Sequence, residues 1–587
     1  MLAASYGLKT RIIDKRPTKL LAGHGDGLHA RGMELMASFG LASKIMDTNV
    51  EFNASQIWNG LMHVQQVGDM EMPSHYRTQA LSQARISDLM LDFIHQASTI
   101  QVERGQRTEA DSANDIHLDD DEAILSESQK AGASSETIQA KYIIGCDGAH
   151  SWTRKEVGIN MTAEDTDVFW GILDVIPNTD FPMPRFINVV TTGKGGLFWI
   201  PRENGMVRVY TALAALKPEA GQQFRSRVTP EYILKQVQEQ LAPYKFTYTY
   251  CAWWVVYQIG RSIARQNTVD NRIFLAGDAV HTHSPHAGQG MMASMLDAHN
   301  LVWKLALVTK GLADPDKILP TYEAERLGAG QALVDFDRKY AATMTGSTLP
   351  ESFSESATTE VQAPKLHQAA FLVFHNLQLI NPPGILTRTT LDAIAQAKKS
   401  INEGQLPPGV VTGMRMPSHQ VRDHFRSHLV WFGDRFRSGG RFRVIVFAGD
   451  LPQATAMTRY RDLGSNLSRL TKKYAPTTLS GTRNDSVIAP LTLHTANPRT
   501  LNYTDLPAVF TSCDETLGYV YDTLYYDGAG NDKHDPPAGS AYSAYNVDPV
   551  QGRLVIVRPD GYVGYQGPVE AWEPAEEYFS GFLLPAH

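Results

Sequence analysis

The stretch Arg272–Leu305 constrains this chain more than any other. Arg272-Ile-Phe-Leu-Ala276 is a short apolar run between turn residues and predicts a β-strand. Gly277-Asp278 closes it, and the loop His281-Thr-His-Ser-Pro-His-Ala-Gly-Gln-Gly290 follows. Met292, Met295, Leu296, Val302, Trp303 and Leu305 then recur at helical spacing, predicting a helix over 291–306 with one buried face. The order strand, Gly-rich loop, helix has a definite chemistry. Asp278, at the strand end, is placed to accept hydrogen bonds from a hydroxyl-bearing ligand chain. Gly288 and Gly290 carry no Cβ, so main-chain N–H groups can approach a planar ring closely. The helix N-terminus behind them carries roughly half a positive charge and suits an anionic ring edge. The competing reading is a plain strand–loop–helix connection. His281, His283 and His286 lie inside the loop with no matching carboxylate set, so no metal site is expected.

The remaining chain organises around this unit. Leu8–Asp14 predicts a strand preceded by Gly7, which would end a helix of which Leu2–Ser5 remain. Ile86, Leu89, Met90, Phe93 and Ile94 predict a helix over 83–98. Residues 105–136 are acidic and Ser-rich, with the texture of hairpin turns and loops. Lys141–Cys146 predicts a strand ending at Asp147-Gly148. Between 161 and 261 short β-like runs alternate with turns: Val168–Val175, Gly196–Pro201, Met206–Leu213 and Tyr248–Tyr257. A Ser/Thr/Pro-rich linker covers 346–364, and a helical stretch is expected over 366–402. Strands Phe442–Phe447 and Leu554–Val557 belong to a further domain starting near Pro407. The expected division is 1–160 and 262–345 for a two-part nucleotide-type domain, 161–261 for an inserted sheet-rich domain, 346–406 for linker and helix, and 407–587 for the last domain.

Arg272–Leu305 resembles the GD motif of the flavoprotein aromatic hydroxylases, above all the phenol 2-monooxygenase group. Other motifs extend the resemblance over nearly the whole chain. Tyr142-Ile-Ile-Gly-Cys-Asp-Gly-Ala-His-Ser151 is similar to the family's DG motif, and Arg11-Ile-Ile-Asp-Lys-Arg-Pro17 to its second Rossmann strand. Gly440–Phe447 and Arg558-Pro-Asp-Gly-Tyr562 resemble its thioredoxin-like C-terminal domain, here without a CxxC. The resemblance implies an α/β fold: a Rossmann-like FAD-binding domain, an inserted sheet-rich substrate domain and that C-terminal domain.

The implied cofactors are FAD and NADPH. FAD contacts are implied for Asp14, Lys15 and Arg16 at the adenosine end, and for Gly25, Asp26 and Arg31 over flavin and pyrophosphate. Gln83, Asp147, Asp278, Pro285, Gly288, Gln289, Gly290, Met291 and Met292 complete the cofactor set, with Tyr210 shared between flavin and substrate. Asp26, Arg202 and Tyr210 are the implied catalytic residues, and Asp26, Tyr210 and Tyr257 the implied substrate contacts. Arg208 alternates onto the face of Tyr210 and is a weaker candidate. Each also has a structural reading: Gly-Asp-Gly is common in turns, and the others suit ordinary strand positions. The implied reaction is ortho hydroxylation of a phenolic substrate with O₂ through a flavin C4a-hydroperoxide, in a homodimeric enzyme of the cytoplasm.

One element of the family pattern is not in the sequence. The Rossmann GxGxxG precedes the ribose-binding acid by about 20 residues. With Asp14 as that acid, the fingerprint would lie before residue 1. The expectation is an N-terminally truncated chain, or else a relative that holds flavin poorly and acts as a scaffold. A flavoenzyme carrying out Baeyer–Villiger or dearomatising oxidation is a further alternative.

Bulk properties agree with an enzyme of this kind. The 587 residues, 43% of them hydrophobic, suffice for roughly three or four domains. The net charge of −8 recruits neither nucleic acid nor an anionic membrane. Arg422–Arg443, Arg-rich and aromatic, reads as strands with solvated Arg faces. No run approaches the roughly 18 apolar residues of a membrane span. Cys146, Cys251 and Cys513 are too scattered for a disulfide framework, which points to a reducing compartment.

Overall fold

In the computed structural model the described residues are all except 49, 53, 60–61, 69–73, 106, 109–115, 119–122, 127, 130–136, 193–194, 214–223, 285–287, 346–378, 404, 476–485, 512, 515–517, 530–534 and 587. The strand–loop–helix unit forms as expected. Ile273–Leu275 is a fully buried strand lying parallel to Ile143–Gly145, and the helix runs over Gly290–Thr309. Ile12–Asp14 pairs in parallel with Val102–Arg104. The helix Gln83–Ala97 starts at Ser82, whose hydroxyl accepts the Arg85 N–H. Ile86, Leu89, Met90 and Phe93 on one of its faces join the cluster formed by helix Ala30–Ser38.

An eight-stranded sheet forms the second unit. At its centre, Met161–Thr179 lies between Val207–Ala212 and Phe246–Ala264, antiparallel to both. Gly195–Pro201 and Ile187–Thr192 continue the sheet. Its far edge comes from elsewhere in the sequence: the hairpin Ala54–Asn59 and Met62–Gly68 joins beside Ile187–Thr192 in parallel. The inserted segment therefore builds most of this sheet but not all of it. Helix Pro230–Leu241 covers one face through Ile233, Val237 and Leu241.

The C-terminal domain has the thioredoxin-like arrangement. Phe442–Gly449, helix Ala454–Tyr474 and Ile488–His494 make a parallel βαβ unit. Arg553–Val557 and Val563–Gly567 add antiparallel strands on the other side. Phe442–Gly449 and Ile488–His494 are buried along their whole length, as a central strand pair covered on both faces must be. The core is continuous with the first unit. Trp303 of helix Gly290–Thr309 meets Phe442 edge to face at 5.6 Å, both fully buried. Truncating either to Ala would cost about 3–5 kcal/mol.

The expected helix over 366–402 is shorter. It spans Leu391–Asn402, with Thr390 as its N-cap. Residues 379–390 are turns and a Gly384–Thr387 bridge, because Pro382-Pro383-Gly384 cannot continue a helix. Residues 366–378 of that expectation, and the linker at 346–364, lie outside the described residues.

Candidate active site

The loop before helix Ala30–Ser38 is held from both sides. Gly25 donates its N–H to Gln83 Oε1 at 3.0 Å, and Gln83 returns its own N–H to the Gly25 carbonyl at 2.9 Å. Leu81 N–H reaches the Asp26 carbonyl at 3.1 Å. Gln83 thus acts as a clamp that fixes Gly25 and presents Asp26. A Cβ on Gly25 would meet Gln83 Oε1 at 3.2 Å and Met291 Sδ at 3.4 Å, so the loop lies close against the start of helix Gly290–Thr309.

The eight-stranded sheet closes the other side of the loop. Strand register sets Arg208 opposite Asp174 and Tyr210 opposite Ile172, with Asp174 opposite Trp253 on the next strand. Asp174 takes both ends of the Arg208 fork at 2.6 Å each, and Arg202 Nη1 lies 3.4 Å from both of its oxygens. Arg202 is paired in addition with Glu203 at 3.0 and 3.1 Å. Arg208 Nη1 bonds the His24 carbonyl, and the ring of Trp253 lies 5.1 Å from its guanidinium. The same Nη1 is 3.4 Å from the Tyr210 hydroxyl and 3.5 Å from Asp26 Oδ2. The Tyr210 hydroxyl is itself 3.4 Å from Asp26 Oδ2. Burial opposes the Arg208 charge, but Tyr210, Asp26 and Asp174 outweigh it and raise its pKa well above the ordinary value. Burial, reinforced by Asp26, pushes the Tyr210 phenol up, so it stays a proton donor.

Asp26 and Tyr210 are therefore brought together, with Arg208 as the nearest guanidinium. Arg202 stands one step back, on Asp174 and Glu203. Asp174 was not singled out from sequence. Its signal was a carboxylate in the middle of an apolar strand run, Gly171-Ile-Leu-Asp-Val-Ile176, where a charge persists only when paired.

The GD turn has a similar hidden organiser. Asp278 is exposed, on a 3-10 turn that Gly277 enters at φ +64°. Behind it the buried carboxylate of Asp297 accepts the Gly277 N–H at 3.0 Å, His281 Nε2 at 2.9 Å and Arg326 Nε at 2.7 Å. Burial works to raise its pKa, yet Arg326 and His281 prevail and hold it at about 2. Asp337, fully buried, bonds Arg261 Nε at 2.6 Å and the Ser284 N–H at 3.1 Å, and takes the Ser284 hydroxyl as well. His283 Nδ1 lies 2.7 Å from the Ser284 carbonyl.

The other expected residues divide. Around His24, burial lowers the imidazole, Arg16 and Arg208 lower it further, and Asp278 opposes them, so these charges gather about one loop. Asp14 is engaged by Arg16 (3.0 Å to its N–H, 3.1 Å to Nη2) and by Arg104 at 2.9 Å, while Lys15 is exposed. Asp147 bonds the Ser151 hydroxyl at 2.5 Å and the Thr153 N–H at 2.9 Å, fixing the start of helix Trp152–Glu156. Arg154 of that helix donates to the Ala279 carbonyl at 2.9 Å and so ties the DG loop to the GD turn. Tyr257 lies on the strand opposite Trp170, and burial, reinforced by Asp278, raises the pKa of its phenol. Gln289 is the buried N-cap of helix Gly290–Thr309, and Gly288 precedes it at φ +59°. Met291 meets the Gly25 loop, but the Met292 side chain is buried against Gly32 and Leu28-cluster residues and serves as core. Pro285 lies outside the described residues.

Arg31 departs from its expected place over the pyrophosphate. Its side chain is buried against the C-terminal domain, with Nη2 2.5 Å from the Asp560 carbonyl and the guanidinium 5.5 Å from the Tyr562 ring. The helical register of Ala30–Ser38 turns residue 31 away from the loop that residues 25–28 form.

These features fit FAD. Gly288 has φ +59° and a Cβ there would press on His29 Nε2 at 3.3 Å, so glycine suits the position, and Asp278 offers an exposed carboxylate on the GD turn. The comparisons agree. Residues 1–337 match the family described as FAD binding domain, and 382–587 the phenol hydroxylase C-terminal dimerisation domain. The chain is 31% identical to the phenol 2-monooxygenase fsqG of Aspergillus fumigatus, over 98% of this chain and 92% of that one. It belongs to the FAD-dependent monooxygenases of the phenol hydroxylase type. Another member of this family, the 3-hydroxybenzoate 4-monooxygenase of Comamonas testosteroni, is 30% identical over 99% of this chain and 92% of its own length. Among solved structures, the flavin-dependent monooxygenase PieE in complex with FAD and substrate superposes with a TM-score of 0.69 at 17% identity, over 99% and 95% of the two chains. Aklavinone-11 hydroxylase with FAD and aklavinone gives 0.67 at 16%, over 98% and 95%. At these identities they bear on the fold alone. Among the described residues no helix is long and apolar enough to cross a membrane.

Proposed function

We propose that this protein hydroxylates a phenolic substrate next to its hydroxyl group, using FAD, NADPH and O₂, as a homodimer in the cytoplasm. The observation that carries the reading is the triad of Asp26 Oδ2, the Tyr210 hydroxyl and Arg208 Nη1, all within 3.5 Å of one another between the flavin loop and the substrate sheet. When bound and reduced by NADPH, FAD would activate O₂, from which one oxygen atom goes to the ring and the other leaves as water. The residues of the chain do the rest. Asp26 Oδ2 accepts the phenol proton, which raises electron density at the ortho carbon. Arg208, charged at any working pH, stabilises the phenolate beside it. Tyr210, held as a donor, orients the substrate oxygen. Asp174 holds Arg208 in place, and Gln83 holds the loop that carries Asp26. Asp14, Lys15 and Arg16 are the proposed contacts at the adenosine side, Asp147 is the proposed bridge between FAD and NADPH handling, and Asp278, Gly288, Gln289, Gly290 and Met291 are the proposed contacts at the ring side. Tyr257 is the proposed far wall of the substrate pocket.

The test is a visible spectrum of the purified protein with FAD, followed by NADPH oxidation across a panel of phenols with product analysis. A bound-flavin spectrum and a catechol-type product support the reading. No flavin absorbance, or NADPH consumption that no phenol stimulates, rejects it.

A further inference from the structure

A cleft of about 50 Å³, partly open to solvent, separates helix Ala30–Ser38 from the C-terminal domain. Its lining includes Arg31, His299, Arg437, Arg443 and Arg558. None of these takes part in the chemistry proposed above. His299 is only 4% exposed, and neither of its ring nitrogens has a hydrogen-bond partner. Arg31 Nε is likewise buried without one. Buried donors of this kind require an acceptor, and both residues line this cleft.

The charges around the cleft favour an anion as that acceptor. Its three carboxylates are already engaged. Glu34 is paired with Arg415 at 2.5 Å and Arg31 at 3.4 Å, Asp434 with His75 at 3.3 Å, and Asp560 with Arg558 at 2.6 Å. Arg437 donates instead to the carbonyl of Ala37 at 3.1 Å, an acceptor that leaves its charge uncancelled. Arg443 gives hydrogen bonds to the carbonyls of Arg441 and Arg437 at 2.5 and 2.6 Å. Burial lowers the His299 imidazole to about 4, with Arg31 adding to the effect, Asp560 opposing it and Arg558 lowering it further.

We propose that this interdomain cleft binds a phosphate-sized oxyanion through the Arg31 Nε–H, the His299 N–H and the Arg437 guanidinium. The ligand is either inorganic phosphate or the phosphoryl group of a small phosphomonoester. Because the cleft has one wall from each domain, occupancy would tighten the contact between them. The site is separate from the flavin loop, since Arg31 points away from it.

The experiment is isothermal titration of the FAD-loaded protein with inorganic phosphate, and separately with glycerol phosphate, in chloride buffers of matched ionic strength. Excess FAD removes binding at the cofactor's own pyrophosphate site. The wild type should show saturable binding, and R437A and H299L should each weaken it at least tenfold. R437A changes an exposed residue at the cleft mouth, so it remains informative if H299L fails to fold. Tighter binding of one titrant than the other identifies the source. Two results overturn the proposal: no saturable binding by either titrant, or binding of wild-type strength in R437A, which would locate the anion elsewhere. A crystal structure grown from phosphate with only ordered waters between Arg31 and His299 would do the same.

Discussion

Replacing Asp297 by Asn should loosen the GD turn and the whole flavin-binding unit. This carboxylate is 1% exposed and gathers three donors: Gly277 N–H, His281 Nε2 and Arg326 Nε. Asn keeps the shape and one oxygen but removes the charge, leaving Arg326 buried without its counter-ion. Breaking a buried pair in this way costs about 3–5 kcal/mol. The carboxyl group itself gives a second magnitude. Its pKa lies at about 2 in the fold against an ordinary 3.8, and at 1.36 kcal/mol per unit that is worth about 2 kcal/mol. Because the folded pKa is depressed, this contribution is complete above pH ~4–5 and is lost as pH falls through about 2, with about half remaining near pH 3. Urea denaturation of wild type and D297N should therefore differ by about 2–5 kcal/mol at pH 7, with the gap narrowing by about 1 kcal/mol toward pH 3. FAD affinity should fall about tenfold, since the Gly277 N–H loses a charged acceptor, which corresponds to about 1.4 kcal/mol. Arg326→Met should cost less in the D297N background than in the wild type. A D297N protein within about 0.5 kcal/mol of wild type at pH 7, below the range even of a modest core substitution, would refute this account of the turn.

Three further outcomes follow from other contacts. Tyr210→Phe should keep FAD bound while lowering the yield of hydroxylated product per NADPH consumed, because only the substrate-orienting hydroxyl is lost; unchanged coupling would remove Tyr210 from the site. Burial lowers the His29 imidazole to about 4, against an ordinary 6.5, so stability should decline as pH falls from 6.5 to 4; His29→Asn should flatten that decline by about one proton, measured as the slope of unfolding free energy against pH. Arg558→Met leaves Glu325 and Asp560 buried without the cation that bridges them at 2.6–2.8 Å; calorimetry should show a loss of about 3–5 kcal/mol and a separate early transition of the C-terminal domain.

The sequence carried the fold where periodicity and turn chemistry agreed. Arg272–Leu305 shows it best: an apolar run, a Gly-rich loop and a helical stripe in succession leave one local arrangement, and the structure adopts it. The same holds for the helix expected over 83–98, whose apolar positions recur at helical spacing and which forms over Gln83–Ala97. The edge hairpin at 54–68 was not legible. Its partner, Ile187–Thr192, lies more than a hundred residues on, and no local pattern announces so distant a pairing. At the site, Asp26 and Tyr210 were found through motif likeness, and the structure brings their side chains to 3.4 Å. Asp174 and Asp297 were missed because each sits alone among residues that otherwise read as strand or helix core, and Asp337 because Asp335, Arg338 and Lys339 around it make it look like one more surface charge. A lone carboxylate in such a run is itself the signal, since burial without a partner is too costly to persist. Arg31 was misplaced for a different reason. The motif gives the residue but not the side of the helix it faces, and here a second domain occupies that side.

The central claim is that Asp26, Tyr210 and Arg208 direct one atom of dioxygen onto a phenol. The most direct measurement is mass spectrometry of the product formed under isotopically heavy dioxygen, for wild type and for Asp26→Asn. The account predicts one heavy oxygen in the wild-type product, ortho to the original hydroxyl, and a fall in product of about a hundredfold or more in D26N with FAD still bound, the scale of lost general-base catalysis. Unlabelled product, or full hydroxylation by D26N, would contradict it.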